Sequence, residues 1–397
     1  MATLDYIAGA ETGGLDELTS SVGSPTADAT VKRTGEYSYK LTGTVVTEQS
    51  ISLLGSNGTA DPLVGFGFRW NVNLIPTSNI DILAVETTLA ALIIRLRIKA
   101  VTGNLVIVDA ANVEQATVAA PFAQNTWYYV ELRHFENATT GTATLWIDGV
   151  QQASLSNQNF STAGIKYTFK GSLIVGEDIW IDDYYALGAA VDGDRYGSSQ
   201  VFAYQSGNTG TASDAGLTVN SSTLAAGTWN GAGKTPLETA VTSPKYTANP
   251  ADGAVLYDDA ASGGRGPGPS GGAYTVTGTI RGAKWVWSMF RGAGAGSTHS
   301  GYFGNGADTP LGAQPFTLTT SAAIYERVSV AAVQVPLSTE VFAQGFGVSG
   351  AQDITVDEMW AMLLHTPPAP SADLPPGLGP AVSMQQPHQH PSVLMRY

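Results

Sequence analysis

Apolar residues recur at every second position in short runs along this chain, and glycine, proline, asparagine or aspartate closes most of the runs. A period of two sends successive side chains to opposite faces of an extended backbone. Each run therefore reads as a β-strand with one face buried. In Leu92–Ile98, the residues Leu92, Ile94, Leu96 and Ile98 point one way, while Arg95, Arg97 and then Lys99 point the other. No run keeps the 3.6-residue period of a long amphipathic helix. The 46 glycines and 20 prolines among 397 residues supply the turns that many short strands need. The expected class is all-β.

One such run occurs twice. Asp178-Ile179-Trp180-Ile181-Asp182-Asp183-Tyr184-Tyr185-Ala186-Leu187 returns as Asp353-Ile354-Thr355-Val356-Asp357-Glu358-Met359-Trp360-Ala361-Met362. A strand that closes a β-sandwich at the end of each of two domains explains the recurrence, and the chain length accommodates two or three domains. The boundaries expected are a first sandwich over 1–190, a linker over 191–215, a second sandwich over 216–366 and a tail over 367–397. The Gly/Pro/Ser run 262–272 cannot build a core. The tail holds eight prolines, which remove backbone donors and fix φ, so an extended polyproline-like strap is expected there. Leu394, Met395 and Tyr397 are its candidate apolar anchors.

Within the first half, Gly35 opens an alternation in which Tyr37, Tyr39 and Leu41 share a face. Asn125–Arg133 is followed by Thr142–Val150, where Asp148-Gly149 between two β-prone runs signals a tight hairpin. That turn fixes the register, so either Leu145 and Ile147 or Trp146 must face the core. The strings NTWYYVELR, TATLWIDGVQQAS and DIWIDDYYAL resemble the concanavalin-like/laminin-G jelly roll over residues 1–190. RTGEYSYKL resembles the early strand of its phage-encoded members. VDGDRYGSSQVFAYQSGNTG, residues 191–210, resembles the segment that follows such jelly rolls in bacteriophage structural proteins. A shorter resemblance, over Tyr325–Met362, is to carbohydrate-binding-module-like jelly rolls.

These resemblances imply two tandem jelly-roll β-sandwich domains with a proline-rich extended C-terminal tail. They also imply a non-enzymatic bacteriophage virion structural protein on the particle surface, as capsid decoration, cement or head fibre. The partners implied are other virion proteins (the major capsid protein or tail components), further copies of the chain, and a host surface glycan. Two alternatives are a tail fibre or other receptor-binding protein, and a secreted glycan-active enzyme. No heptads or shaft-like repeats support the first, and no opening signal segment supports the second.

Charge and hydropathy exclude other classes. A formal charge of −14 leaves no basic stripe for phosphates, which argues against a nucleic-acid partner. The apolar run near Ala90–Ile94 is far too short for a membrane span. With no cysteine, disulfides and thiolate metal sites are ruled out.

Candidate chemistry is sparse. Asp178 and Asp182 share a strand face, but Trp180 stands between them, and the Glu-x-Asp-x-x-Glu pattern of jelly-roll hydrolases is missing. No catalytic residue is therefore assigned, and these acids are expected to cap turns or pair with basic groups. No cofactor is called for. The one ion considered is calcium, with Asp178, Asp182 and Asp183 as its oxygen ligands. Trp285 and Trp287 alternate on one predicted strand and are the candidate sugar-stacking pair, although aromatics on such strands mostly belong to cores. The histidines fall in no triad or zinc-like spacing, and the glycine-rich stretches lack the Gly-Lys-Ser/Thr ending of a phosphate loop.

Overall fold

The computed structural model describes residues 3–188, apart from 12, 16, 45–47, 55–61, 72–75, 77, 88–91 and 161–164. Beyond these it describes 194–205, 246–248, 255–259, 279–291, 298–305, 309–317, 323–328, 342–347 and 354–367. The described residues are all-β, and no helix among them is long and apolar enough to cross a membrane. The anchors expected at Leu394, Met395 and Tyr397 lie outside the described residues.

The first strands are β1 (Thr3–Ala8), β2 (Ser20–Val22), β3 (Thr26–Asp28), β4 (Ser38–Thr42) and β5 (Ser50–Leu54). Next come β6 (Leu63–Trp70), β7 (Ile80–Thr87), β8 (Leu92–Ile98), β9 (Leu105–Asp109) and β10 (Glu114–Val118). Then follow β11 (Tyr128–Phe135), β12 (Gly141–Ile147), β13 (Val150–Gln158), β14 (Ile165–Lys170) and β15 (Asp178–Gly188). They form two sheets. One runs β13-β12-β11-β6-β15-β4-β3, with β1 also paired to β15; the other runs β10-β9-β8-β7-β14-β5-β2.

Between these sheets lies the main core, and the alternation places it. Val64, Phe66, Phe68 and Trp70 of β6 face inward, as do Val130 and Leu132 of β11 and Ile94, Leu96 and Ile98 of β8. The inward face is aromatic at its centre: Phe66 meets Phe169 edge-on at 4.9 Å, and Phe122 bridges Phe68 and Tyr128. Tyr39 and Leu41 are fully buried, with Tyr37 packed at the margin. The Asp148-Gly149 turn takes positive φ at both positions, 48° and 78°, as a tight hairpin requires. Leu145 and Ile147 therefore point into the core, and Trp146 goes to the outer face, where it is nonetheless buried.

Charged partners on β8 behave as their alternation implies. Arg95 and Arg97 both bond the Asp81 carboxylate, at 2.9 and 2.5 Å, on the outer face of the second sheet. These bonds outweigh burial and hold the Asp81 carboxyl below its usual range.

The remaining strands are β16 (Gln200–Gln205), β17 (Tyr246–Ala248), β18 (Val255–Asp259), β19 (Thr279–Arg291) and β20 (Thr298–Asn305). After them come β21 (Thr309–Thr317), β22 (Ala323–Val328), β23 (Phe342–Gly347) and β24 (Ile354–Thr366). One sheet runs β16-β24-β19-β22, with β17 on β24; the other runs β18-β23-β20-β21. β19 runs unbroken through 281–283, with a bulge between Ile280 and Gly282. Gly282 is there for contact and not for a turn: a methyl group at that position would overlap the Leu4 side chain.

That close approach joins the second half to the first. Leu4, Ile7, Leu63, Leu187, Val201, Met362 and Leu364 make a second apolar cluster on the outer face of the β1–β15–β6 region. Beside it Lys284 of β19 reaches Glu17, nitrogen to oxygen 3.3 Å, with both side chains fully buried. The Lys284 ammonium also lies 4.6 Å from the centre of the Tyr6 ring. Glu17 is held in turn by the Gly9 amide at 3.3 Å.

Removing one partner of such a pair leaves an uncompensated buried charge. Lys284→Ala is expected to destabilise the chain by roughly 3–5 kcal/mol, whereas the paired change Lys284→Met with Glu17→Leu should recover most of that loss. Thermal unfolding of the two variants checks the difference. A second prediction concerns pH. His134 is buried with Nε2 3.0 Å from the Tyr167 hydroxyl, and burial lowers its pKa to about 3. Glu136 at 3.6 Å from Nδ1 is too far for a hydrogen bond, so burial wins and the ring stays neutral. An unfolded imidazole titrates near ~6.5. The unfolded chain therefore takes up a proton that the folded chain refuses, and stability falls as pH drops from about 6.5 towards 3. The expected slope is up to about 1.4 kcal/mol per pH unit, and His134→Gln should flatten that part of the stability–pH curve.

Candidate functional site

The outer face of the first sheet gathers the unusual chemistry. On β6 the sequence alternates core residues with Gly65 and Gly67, so the face carries no side chain at those two points. The gap is filled by neighbours: a methyl at 65 would overlap the Tyr185 ring, and one at 67 would come within 2.8 Å of Arg33 Cδ. Glycine inside a strand here marks close approach by another chain segment.

Beside this gap β15 bulges. Pairing with β6 jumps from Asp182↔Gly67 to Tyr185↔Gly65, and Asp183 takes φ 50°. Strict alternation would send Asp183 to the core side. The extra residue instead places both aspartates among outer-face partners and returns Tyr184 to the core.

Each aspartate is fully engaged by donors. Asp182 Oδ2 accepts the amides of Arg33 (2.8 Å) and Thr34 (3.3 Å), and its Oδ1 accepts the Asp183 amide at 2.8 Å. Asp183 Oδ2 pairs with Arg33 Nη1 at 2.5 Å, while Oδ1 accepts the Val201 amide at 2.6 Å and the Thr34 hydroxyl. Burial, then the neighbouring Asp183 and Glu11 charges, push the Asp182 carboxyl up against the pull of its amide donors. The Arg33 guanidinium sits 4.7 Å over the Tyr129 ring and also bonds the Ser199 carbonyl at 2.6 Å and the Ser198 hydroxyl. The turn that delivers Arg33 is fixed by Glu11, whose carboxylate accepts the Glu36 amide at 3.0 Å. Gly35, at φ 59°, lies so close to that carboxylate that a methyl group would overlap it.

A third buried acid repeats the arrangement on β11. Glu131 accepts the Tyr185 hydroxyl at 2.6 Å, the Gly197 amide at 3.0 Å and Arg195 Nη1 at 3.2 Å. Arg195 lies 4.5 Å over the Trp146 ring, which is how an outward tryptophan becomes buried. Burial first, and then the Glu131 charge, raise the Tyr129 and Tyr185 hydroxyls well above the ordinary phenol range, so both act as donors. Residues 195–201, inside the segment expected to be a linker, are therefore held against the sheet by two carboxylates and an arginine.

The candidate ligands of calcium are thus not one group. Asp182 and Asp183 come together, but their oxygens face N–H and O–H donors. Asp178 stands four residues away on the strand and pairs with Lys40 at 2.9 Å. Among the described residues no group of three or more His, Asp or Glu side chains is arranged to hold a metal ion. Trp180, between these acids, is buried; its indole donates to Asp28 at 2.9 Å, and Lys40 and Arg69 lie over its ring at 5.4 and 5.6 Å. Trp285 and Trp287 fall on β19 opposite Arg327 and Tyr325 of β22, and their side chains lie outside the described residues. Sequence reasoning missed Arg33, Glu131, Arg195 and Glu11. The Gly-x-Gly alternation of β6 was the signal available for an inserted side chain.

No family model matches the chain, and no curated protein matches it. Among solved structures it is similar to "Cellulose induced protein, Cip1", at 14% identity and TM-score 0.35, over 44% of this chain and 88% of that one. It is similar as well to domain 4 of AbnA, a GH43 extracellular arabinanase from Geobacillus stearothermophilus, at 12% identity and TM-score 0.35, covering 48% and 94%. The Emp46p carbohydrate recognition domain follows at 13% identity and TM-score 0.33, covering 46% and 99%. The AbnA domain was solved in complex with arabinotriose, and the Emp46p domain is named a carbohydrate recognition domain. At TM-scores of this size they assign neither substrate nor activity to this chain.

Arg33→Met should leave Asp183 and Asp182 buried without their cation, at a cost of roughly 3–5 kcal/mol. The loss should be local in its first effect. Hydrogen–deuterium exchange is expected to speed up across 195–201 well before it does so across β6.

Proposed function

We propose that this chain is a non-enzymatic structural protein of a bacteriophage particle, displayed on the particle surface as capsid decoration, cement or head fibre, and in contact with a host glycan. The observation that carries the non-enzymatic part is the use of the buried carboxylates. Hydrolysis of a glycosidic bond needs one acid that can donate a proton to the sugar and a second carboxylate facing it across the substrate. Asp182, Asp183 and Glu131 instead spend their oxygens holding Arg33, Arg195 and the backbone of 195–201.

Several features favour display on a particle. The chain is acidic and cysteine-free, which keeps it soluble at high local density without an oxidising compartment. The proline-rich 367–397 is suited to lie along a neighbouring subunit. The candidate for the glycan contact is the pair Trp285 and Trp287, which alternate along the sequence of β19.

Mass spectrometry of purified particles is expected to find the chain in many copies, and a version ending at Thr366 should fold yet be missing from them. Absence of the full chain from particles would overturn the virion reading. Release of reducing sugar from bacterial polysaccharide by the purified chain would overturn the non-enzymatic one.

A further inference from the structure

We infer that the outer face of the first sheet, at the Trp70 end of β6, is a saccharide-binding surface built on Arg69, Trp127 and Asp178, and that it takes a neutral glycan. The inference rests on the glycan contact proposed above and adds to it a surface separate from Trp285 and Trp287. Strand register brings this surface together. Lys40 pairs with Trp180, and Trp180 pairs with Arg69. Tyr128 pairs with Phe68 and packs on the core, so Trp127 stands beside Arg69 on the outward side. At the ~4.8 Å spacing of neighbouring strands, the row from Lys40 to Trp127 is about 14 Å long, which exceeds a single sugar ring.

Other arginines of this half spend their donors on carboxylates: Arg33 on Asp183, Arg95 and Arg97 on Asp81, Arg195 on Glu131. Arg69 does not. Among the described residues its one hydrogen bond is a long one, 3.5 Å to Asn125 Oδ1, and its Nε has no partner. The guanidinium is nonetheless held in place 5.6 Å over the Trp180 ring, which is itself fixed by the indole bond to Asp28. Beside it the Trp127 indole is half-buried, with its N–H unpartnered among the described residues. Asp178 lies diagonal to Arg69 across the β15–β6 pair, gives Oδ2 to Lys40 and leaves Oδ1 without a donor among the described residues. Unspent donors, an unspent acceptor and a partly open indole thus meet on neighbouring strands.

The occupant follows from these groups. A sugar hydroxyl both donates and accepts, so neighbouring hydroxyls can bond the guanidinium and the carboxylate together. The C–H face of the same ring can lie on the Trp127 indole. The charges balance, Lys40 and Arg69 against Asp28 and Asp178. With no local excess of positive charge on a chain at −14, an anionic saccharide is disfavoured and a neutral one is not. A peptide strand is disfavoured as well, since the amides and carbonyls of these strands are already paired within the sheet and the face offers side chains only. Because the cation and its supporting ring are fixed beforehand, little ordering entropy is lost on docking.

A glycan array carrying neutral hexose oligosaccharides beside uronic and sialylated ones, probed with the full chain, tests the inference. Binding to neutral members is expected. Titration calorimetry with the tightest of them should show Trp127→Ala and Arg69→Gln each at least ~tenfold weaker, with the melting temperature unchanged. Trp127→Phe, which keeps an aromatic face, should retain most of the affinity. Full affinity in both Trp127→Ala and Arg69→Gln would overturn this surface; if Trp285→Ala with Trp287→Ala then abolished binding, the glycan contact proposed above would stand at that pair. Selection of acidic saccharides would overturn the neutral class, and a chain that binds no saccharide would overturn both readings.

Discussion

The Arg33 guanidinium, lodged between the Asp183 carboxylate and the Tyr129 ring, is the contact on which the outer face of the first sheet depends. A buried guanidinium must find acceptors in several directions, and this one finds a carboxylate, a carbonyl and a hydroxyl. The acceptors come from β15 and from residues 198–199, so one side chain ties a strand of the sandwich to the segment that leaves it. The glycines of β6 make the lodging physically available. Any side chain at 65 or 67 would occupy the space that Tyr185 and Arg33 fill.

Buried acids elsewhere in the fold serve the same end. Glu11 accepts the amides of Glu36 and Tyr37, Glu131 gathers Gly197 and Arg195, and Glu17 receives Lys284. A carboxylate away from water is costly unless donors surround it, so each such acid specifies the position of the backbone or cation that satisfies it. The result is an outer face whose polar groups are committed to holding 195–201 and β19 in place.

The second apolar cluster completes that attachment. Leu4 and Ile7 of β1 meet Met362 and Leu364 of β24, and Gly282 lets β19 come close enough for Lys284 to reach Glu17. Apolar burial supplies the contact without direction, and the ion pair and the bulge supply its register. The first sheet is thereby packed on both faces over part of its area, which is why Tyr129, Tyr185 and Leu187 are as buried as residues of the main core.

Much of the sandwich could be read directly from the chain, because strand alternation is a local property. Leu92–Ile98 already sorts its own faces, and Asp148-Gly149 can make its turn without knowledge of the rest of the molecule. The same local logic reached Trp146, by stating that one of two sets must be core. It did not reach Asp183, whose face is set by a bulge that exists only because β6 and β15 are paired out of step. Nor did it reach Gly282, whose role is a contact with Leu4. Arg33, Glu131 and Arg195 are ordinary charged residues by spacing, and each becomes structural through a partner at least 60 positions away. The sequence by itself determined the class, the strands and the inward faces, since those follow from period and turn chemistry. Only tertiary structure decided which acids would be buried and what would neutralise them, since that depends on contacts between segments distant in the chain.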